Sequence, residues 1–194
     1  MKLMCYTAFS KFGIFLIGRY KTMSKKTKTT LVTAFLELVN EEPFDKITVT
    51  DLVEKCSISR QTFYYHFDDI KEMLEWAFDS ETKAICDTLD YDNWQATEDR
   101  FVEFLNKYDM LFRKSLVSTK FIFIFNMIDK SFNTAIKHFI SAKRSEEQNF
   151  GKNADYVISY TAGAFTSLVV KTIQNETSDY ETIVKNLSTS LQGI

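Results

Sequence analysis

One proline, Pro43, and five glycines are all the backbone breakers that 194 residues contain. With so little punctuation, apolar residues recur at helical spacing over long runs, and that pattern predicts an all-α chain. A chain of this length is also long enough to bury a sizeable core.

The first periodic run places Leu31, Val32, Phe35, Leu36 and Val39 on one face of a helix from Lys28 to about Asn40. Pro43 stops it, because proline cannot continue a helix and disfavours helical geometry at Glu42. A second helix follows, with Thr48 or Thr50 as N-cap, Asp51 in its first turn, and Leu52, Val53 and Cys56 buried. The "CSIS" stretch reads as a tight turn, after which Ser59 caps a third helix. Asp68 or Asp69 caps a fourth, with Ile70, Leu74, Phe78, Ile85 and Leu89 along one side.

"DYDNWQATED" reads as a polar break, and the rhythm returns with Phe101, Phe104, Leu105 and Tyr108. A long helix is expected from Lys120 to Ser141, with Phe121, Ile124, Phe125, Ile128, Phe132, Ile136 and Phe139 inward. "AKRSEEQNFGKN" reads as a loop. Two closing helices, about Ala154–Gln174 and Asp179–Leu191, complete the chain, the first containing the small run Ala162-Gly163-Ala164. The division drawn is an extra segment at 1–23, a small helical domain at 24–75 and a second helical domain at 76–194, with the boundary inside the fourth helix near Trp76.

The opening 22 residues carry Lys2, Lys11, Arg19 and Lys21 without an acid, around a short apolar run. Lys11 interrupts any signal-peptide core, and the run is too short to span a membrane. A basic membrane-surface helix is one reading. The favoured one is that Met23 is the true start and that no membrane is involved. Cys5, Cys56 and Cys86 show no paired spacing, and two histidines without a CxxC argue against zinc. A reduced cytoplasmic interior is the natural setting. No phosphate loop, nucleophile elbow or metal-ligand spacing occurs, so neither an enzyme nor a cofactor is expected.

The third helix, in "ISRQTFYYHFDD", holds the functional signal. At about 100° per residue Phe63 and Phe67 stack on the buried side, while Gln61 and Tyr65 point away from it and Thr62 and Tyr64 flank them. Two short helices joined by a tight turn, the second with a hydrogen-bonding outer face, form a helix-turn-helix suited to a major groove. Arg60 can pair with guanine N7 and O6, and Gln61 with adenine. Thr62 can meet a thymine methyl or a phosphate. Tyr64, Tyr65 and His66 are candidate phosphate clamps, as are the hydroxyls of Thr48, Thr50 and Ser59 at helix starts. Lys25, Lys26 and Lys28 read as a mobile basic arm offsetting Glu41, Glu42, Asp45, Asp68 and Asp69 in a chain of net charge −2. Lys26 is the expected backbone contact among them.

The string "PFDKITVTDLVEKCSISRQTFYYHFDDIKEML", Pro43 to Leu74, resembles the DNA-binding domain of the TetR/AcrR family of bacterial transcription regulators. Its Cys-x-Ile-x-Arg-x-Thr-Phe-Tyr-Tyr-His-Phe form is similar to a Firmicutes branch that includes regulators of dihydroxyacetone kinase operons, and "YVISYTAGAFTSLVV" resembles that branch's closing helices. The resemblance implies an operator duplex as partner and a homodimer joined through the last two helices. It also implies a small-molecule effector pocket in the C-terminal domain and, usually, repression relieved by ligand. Within the branch, activation through a partner protein is the alternative. Two residues depart from the family pattern. Ser57 stands where glycine is usual in the turn, and Ile70 where lysine is usual, which leaves Lys71 as the substitute phosphate contact. Tyr108, Asn126, Asp129, His138 and Tyr160 share no motif and receive no role.

Overall fold

The computed structural model describes residues 25–89, 94–143, 154–175, 177 and 179–192, and every regular element among them is helical. Helix α1 covers 25–41. A 3₁₀ turn at Phe44–Lys46 leads to α2 (Val49–Lys55), α3 (Arg60–His66), α4 (Ile70–Cys86), α5 (Gln95–Ser115), α6 (Phe121–Lys143), α7 (Ala154–Gln174) and α8 (Tyr180–Gln192). The chain is thus an N-terminal helix-turn-helix domain followed by a helical C-terminal domain. The reading of residues 1–23 as an extra segment lies outside the described residues. No described helix is long and apolar enough to cross a membrane.

Local chemistry sets each boundary of the small helices. Thr48, not Thr50, caps α2: its Oγ1 accepts from Asp51 N–H while Asp51 Oδ2 accepts from Thr48 N–H at 2.8 Å. This reciprocal box satisfies two donors that the first turn would otherwise leave open. The α2–α3 turn is a Schellman motif, in which Ile58 N–H donates to Val53 O and Ser57 N–H to Glu54 O. The motif requires a left-handed residue, and Ser57 takes that conformation with φ 53°. Ser59 Oγ then accepts from Thr62 N–H at 3.0 Å, and Asp69, not Asp68, caps α4 by accepting from Glu72 N–H at 2.8 Å.

Apolar faces close into one core. Phe63 and Phe67 are buried in the same cluster as Leu31, Val32 and Phe35 of α1 and Leu52 of α2. In the larger half, α6 packs on α4 and α7, and α8 packs on α5. Its centre is filled by rings: Phe78 lies 4.7 Å from Tyr108 and 5.3 Å from Phe104, centroid to centroid, with Phe112 6.1 Å away. Cys56, Ile70, Leu89, Phe121 and Phe125, expected inward, are only half-buried.

Two expectations are corrected. Gln95–Asp99 belong to α5 rather than to a polar break; the half-turn is anchored by Thr97, whose hydroxyl donates to Thr88 O at 2.9 Å. Lys25, Lys26 and Lys28 are not a mobile arm but part of α1. The Lys28 ammonium sits 4.5 Å from the Phe67 ring centroid and 5.4 Å from that of Trp76, where ring faces attract a cation. Most of the expected loop after α6 lies outside the described residues, though Ala142 and Lys143 still belong to the helix.

A polar strap joins the two domains beside α4. Lys114 Nζ, near the end of α5, donates to Asn40 O at 3.1 Å and Glu42 O at 2.9 Å, so it caps the carboxyl end of α1. Asp45 accepts from Ser118 Oγ, Thr119 N–H and Thr119 Oγ1 at 2.9, 3.3 and 3.1 Å. Lys120 Nζ donates to Phe44 O at 3.4 Å and lies 4.4 Å from the Phe44 ring centroid.

Candidate nucleic-acid interface

Helix α3 presents the outer face its sequence predicts. Arg60, Gln61, Tyr64 and Tyr65 are exposed, Tyr65 by 80%, while Phe63 and Phe67 are buried. Thr62 and His66 are half-buried at the flanks. Tyr64 lies edge-on to Phe63 and Tyr65 edge-on to His66, with centroids 5.5 and 5.0 Å apart, so both outer rings are oriented by neighbours rather than free.

Which hydroxyls can give a proton to a phosphate follows from their partners. Thr48 Oγ1 donates to Asp51 Oδ2 at 2.7 Å, so its only proton is spent inside the capping box. Thr50 differs. Arg60 Nη2 donates to Thr50 Oγ1 at 2.5 Å, and since arginine has no acceptor the hydroxyl keeps its own proton. Ser59 Oγ and Thr62 Oγ1 lie 2.9 Å apart, and whichever donates leaves the other with a free proton. The four hydroxyls therefore offer two protons: one from Thr50 and one from the Ser59–Thr62 pair. Thr29 and Thr30 on α1 spend theirs on the carbonyls of Lys25 and Lys26.

Charge around the helix is arranged differently from the expected arm. Burial, and then the Lys28 ammonium, hold the His66 imidazole below its ordinary pKa. A lowered pKa favours the neutral ring, which can still offer one ring N–H to a phosphate. Two acids of α1 share one cation: Lys55 lies 2.9 Å from Glu41 and 3.4 Å from Glu37. Asp45 is held below the usual carboxylate range by the Ser118 and Thr119 hydrogen bonds. Lys26 is exposed at the start of the described chain, beside Thr30 and across an open groove from Lys55. Lys71 is exposed too, but its ammonium lies 5.7 Å from the Phe123 ring centroid, leaning towards α6. Sequence reasoning missed Lys55, Lys114 and Lys120, whose partners lie 14 to 76 residues away and leave no periodic trace.

No group of three or more metal-ligating side chains occurs among the described residues. The model of the family described as bacterial regulatory proteins, tetR family, matches residues 31–77, which run from the first turns of α1 into α4. Among curated proteins, the chain is 26% identical over 154 residues to the HTH-type dhaKLM operon transcriptional activator DhaS of Lactococcus lactis subsp. lactis (strain IL1403), covering 76% of this chain and 79% of that protein. Among solved structures it resembles one titled dihydroxyacetone kinase operon activator DhaS, with a TM-score of 0.68 at 20% identity, over 86% of this chain and 94% of that one. At that identity the structural likeness speaks for the fold.

Proposed function

We propose that this chain is a DNA-binding regulator of the tetR family, whose model matches residues 31–77, and that it reads operator DNA as a homodimer, one α3 in each of two successive major grooves. Recognition helices of such a dimer sit roughly 34–36 Å apart on a near-palindromic site. The observation that carries the reading is the outer face of α3: Arg60 and Gln61 exposed at its start, Tyr64 and Tyr65 beyond them, on a helix whose opposite side is buried phenylalanine. Arg60 and Gln61 meet base edges. Thr50, the Ser59–Thr62 pair, Tyr64, Tyr65 and Lys26 meet the backbone, and Lys71 joins them only if it leaves Phe123. The reading head spans 24–75, and the core of 76–194 dimerises through α7 and α8. Exposed Tyr156 and Tyr160 on α7, 76% and 81% accessible, support that face, as does open space around Gly163. The protein acts in the cytoplasm.

The sign of regulation we favour is activation, because the curated relative is an operon activator, and a dihydroxyacetone kinase operon is the candidate target. Repression relieved by ligand is the usual family logic, and one observation supports an effector. The Tyr108 hydroxyl is buried without a hydrogen-bond partner among Phe78, Phe104 and Phe112, a costly state that a small polar molecule would relieve.

Fluorescence anisotropy on DNA upstream of the protein's own gene, against a scrambled duplex at two salt concentrations, tests the reading. Autonomous recognition gives roughly a thousandfold preference and a steep loss with salt. Equal, weak binding to every duplex tried, including dihydroxyacetone kinase promoters, sinks it.

A further inference from the structure

We propose that Thr50 is the positioning residue for Arg60, so that a backbone contact and a base contact are joined through one hydroxyl. The inference rests on the reading of Arg60 as a base-reading side chain. Residues 50 and 60 belong to different helices, yet Arg60 Nη2 donates to Thr50 Oγ1 at 2.5 Å across the α2–α3 turn. An arginine side chain is long and freely rotating, and ordering it on binding opposes association. The tether does that ordering in advance. Thr50 is a firm anchor because its branched side chain has few rotamers and because α2 is fixed by the Thr48–Asp51 box and the Schellman turn.

Proton accounting makes the link directional. Thr50 can only accept from Arg60, which leaves its own O–H to donate outward to a phosphate oxygen. Donation to a charged oxygen polarises the hydroxyl and strengthens its acceptance from Arg60. Arg60 keeps its remaining N–H groups for guanine N7 and O6. The phosphate that sets the register of the protein on the duplex therefore also steadies the side chain that reads the base. Thr48, two residues earlier, cannot do this because its proton is held by Asp51.

Selection from a pool of random duplexes, followed by affinity measurement at each base pair, tests the proposal with the wild type, Arg60→Ala, Thr50→Val, Thr50→Ser and the double variant Thr50→Val/Arg60→Ala. Arg60→Ala is expected to flatten discrimination at one or two base pairs of each half-site by on the order of tenfold. Thr50→Val should flatten the same base pairs, Thr50→Ser should preserve them, and the double variant should be no flatter there than Arg60→Ala. Matching thermal melts confirm that Thr50→Val folds, since Thr48 does the capping. Uniform weakening of Thr50→Val on all duplexes, with those base pairs still discriminated, would make Thr50 a plain phosphate contact and overturn the proposal. So would an unchanged preference in either Thr50→Val or Arg60→Ala. A wild type that selects no sequence overturns the DNA-reading proposal itself, and this inference with it.

Discussion

Asp45 accepts a hydrogen bond from Ser118 Oγ at 2.9 Å, tying the link after α1 to the corner between α5 and α6 across 73 residues of sequence. The reading head is thus held to the core by this strap as well as by the continuous α4, and the strap can open without breaking a helix. Asp45→Ala is expected to raise amide exchange over residues 40–46 and 118–120 while leaving α7 unchanged. Equal protection in both proteins would remove the strap from any account of head orientation.

The same carboxylate predicts a pH dependence. Hydrogen bonds from Ser118 and Thr119 hold its folded pKa below the ordinary value, so the folded state releases this proton more readily than the unfolded one. Its contribution is therefore complete above the ordinary carboxylate pKa and is lost as pH falls through the lowered one. Protection factors at 118–120 should hold from neutral pH down to the carboxylate range and then drop. In Asp45→Asn that step should be missing.

Ser57→Gly should stabilise the protein. A residue with a side chain in the left-handed region costs roughly 1–2 kcal/mol, and glycine returns about 0.4–1 kcal/mol of that by loosening the unfolded chain. The net gain is roughly 0.5–1 kcal/mol, read as a higher denaturation midpoint at unchanged slope. Ser57→Val should lose stability at the same site, because a branched side chain tolerates φ 53° poorly.

Tyr108→Phe removes a hydroxyl that has no partner and leaves the ring stack in place. Burial, with Glu81 nearby, drives the phenol pKa upward, so the group is neutral at any working pH and no charge is lost. Stability is expected to stay level or rise by about 1 kcal/mol. If an effector uses this hydroxyl, the variant will bind DNA normally and stop responding to it. A clear loss of stability would mean that the hydroxyl has a partner after all.

Tyr156 and Tyr160 lie one turn apart on the exposed side of α7. Replacing both with glutamate should convert a dimer to a monomer in sedimentation, with helical content unchanged because neither ring enters the core. Operator affinity should fall with it, since one recognition helix alone has half the contacts. A dimer that survives both charges would move the interface elsewhere.

Periodicity made much of this molecule readable before its structure. Phe63 and Phe67 alone fixed the inner side of α3, and the exposure of Gln61, Tyr64 and Tyr65 followed from them. Thr48 was distinguishable from Thr50 as the cap, since Asp51 stands three residues after the first and one after the second, and only the first spacing makes a capping box. The start of α5 was not readable because Gln95, Glu98 and Asp99 are a polar helical face with a single buried threonine between them. A basic, threonine-rich run looked like an arm for the same reason, until Lys28 found Phe67 and Trp76. Long-range pairs such as Thr50 with Arg60 or Asp45 with Ser118 have no local signature at all.

The strap also bears on how such a protein diversifies. Lys114 and Lys120 address the carbonyls of Asn40, Glu42 and Phe44, which every amino acid carries. Of the link's side chains, Asp45 alone supplies its carboxylate and Phe44 its ring. Mutations at Asn40 or Glu42 therefore leave the joint intact. A lineage can rewrite that stretch, and adjust the charge it shows to DNA, without having to rebuild the hinge between head and core.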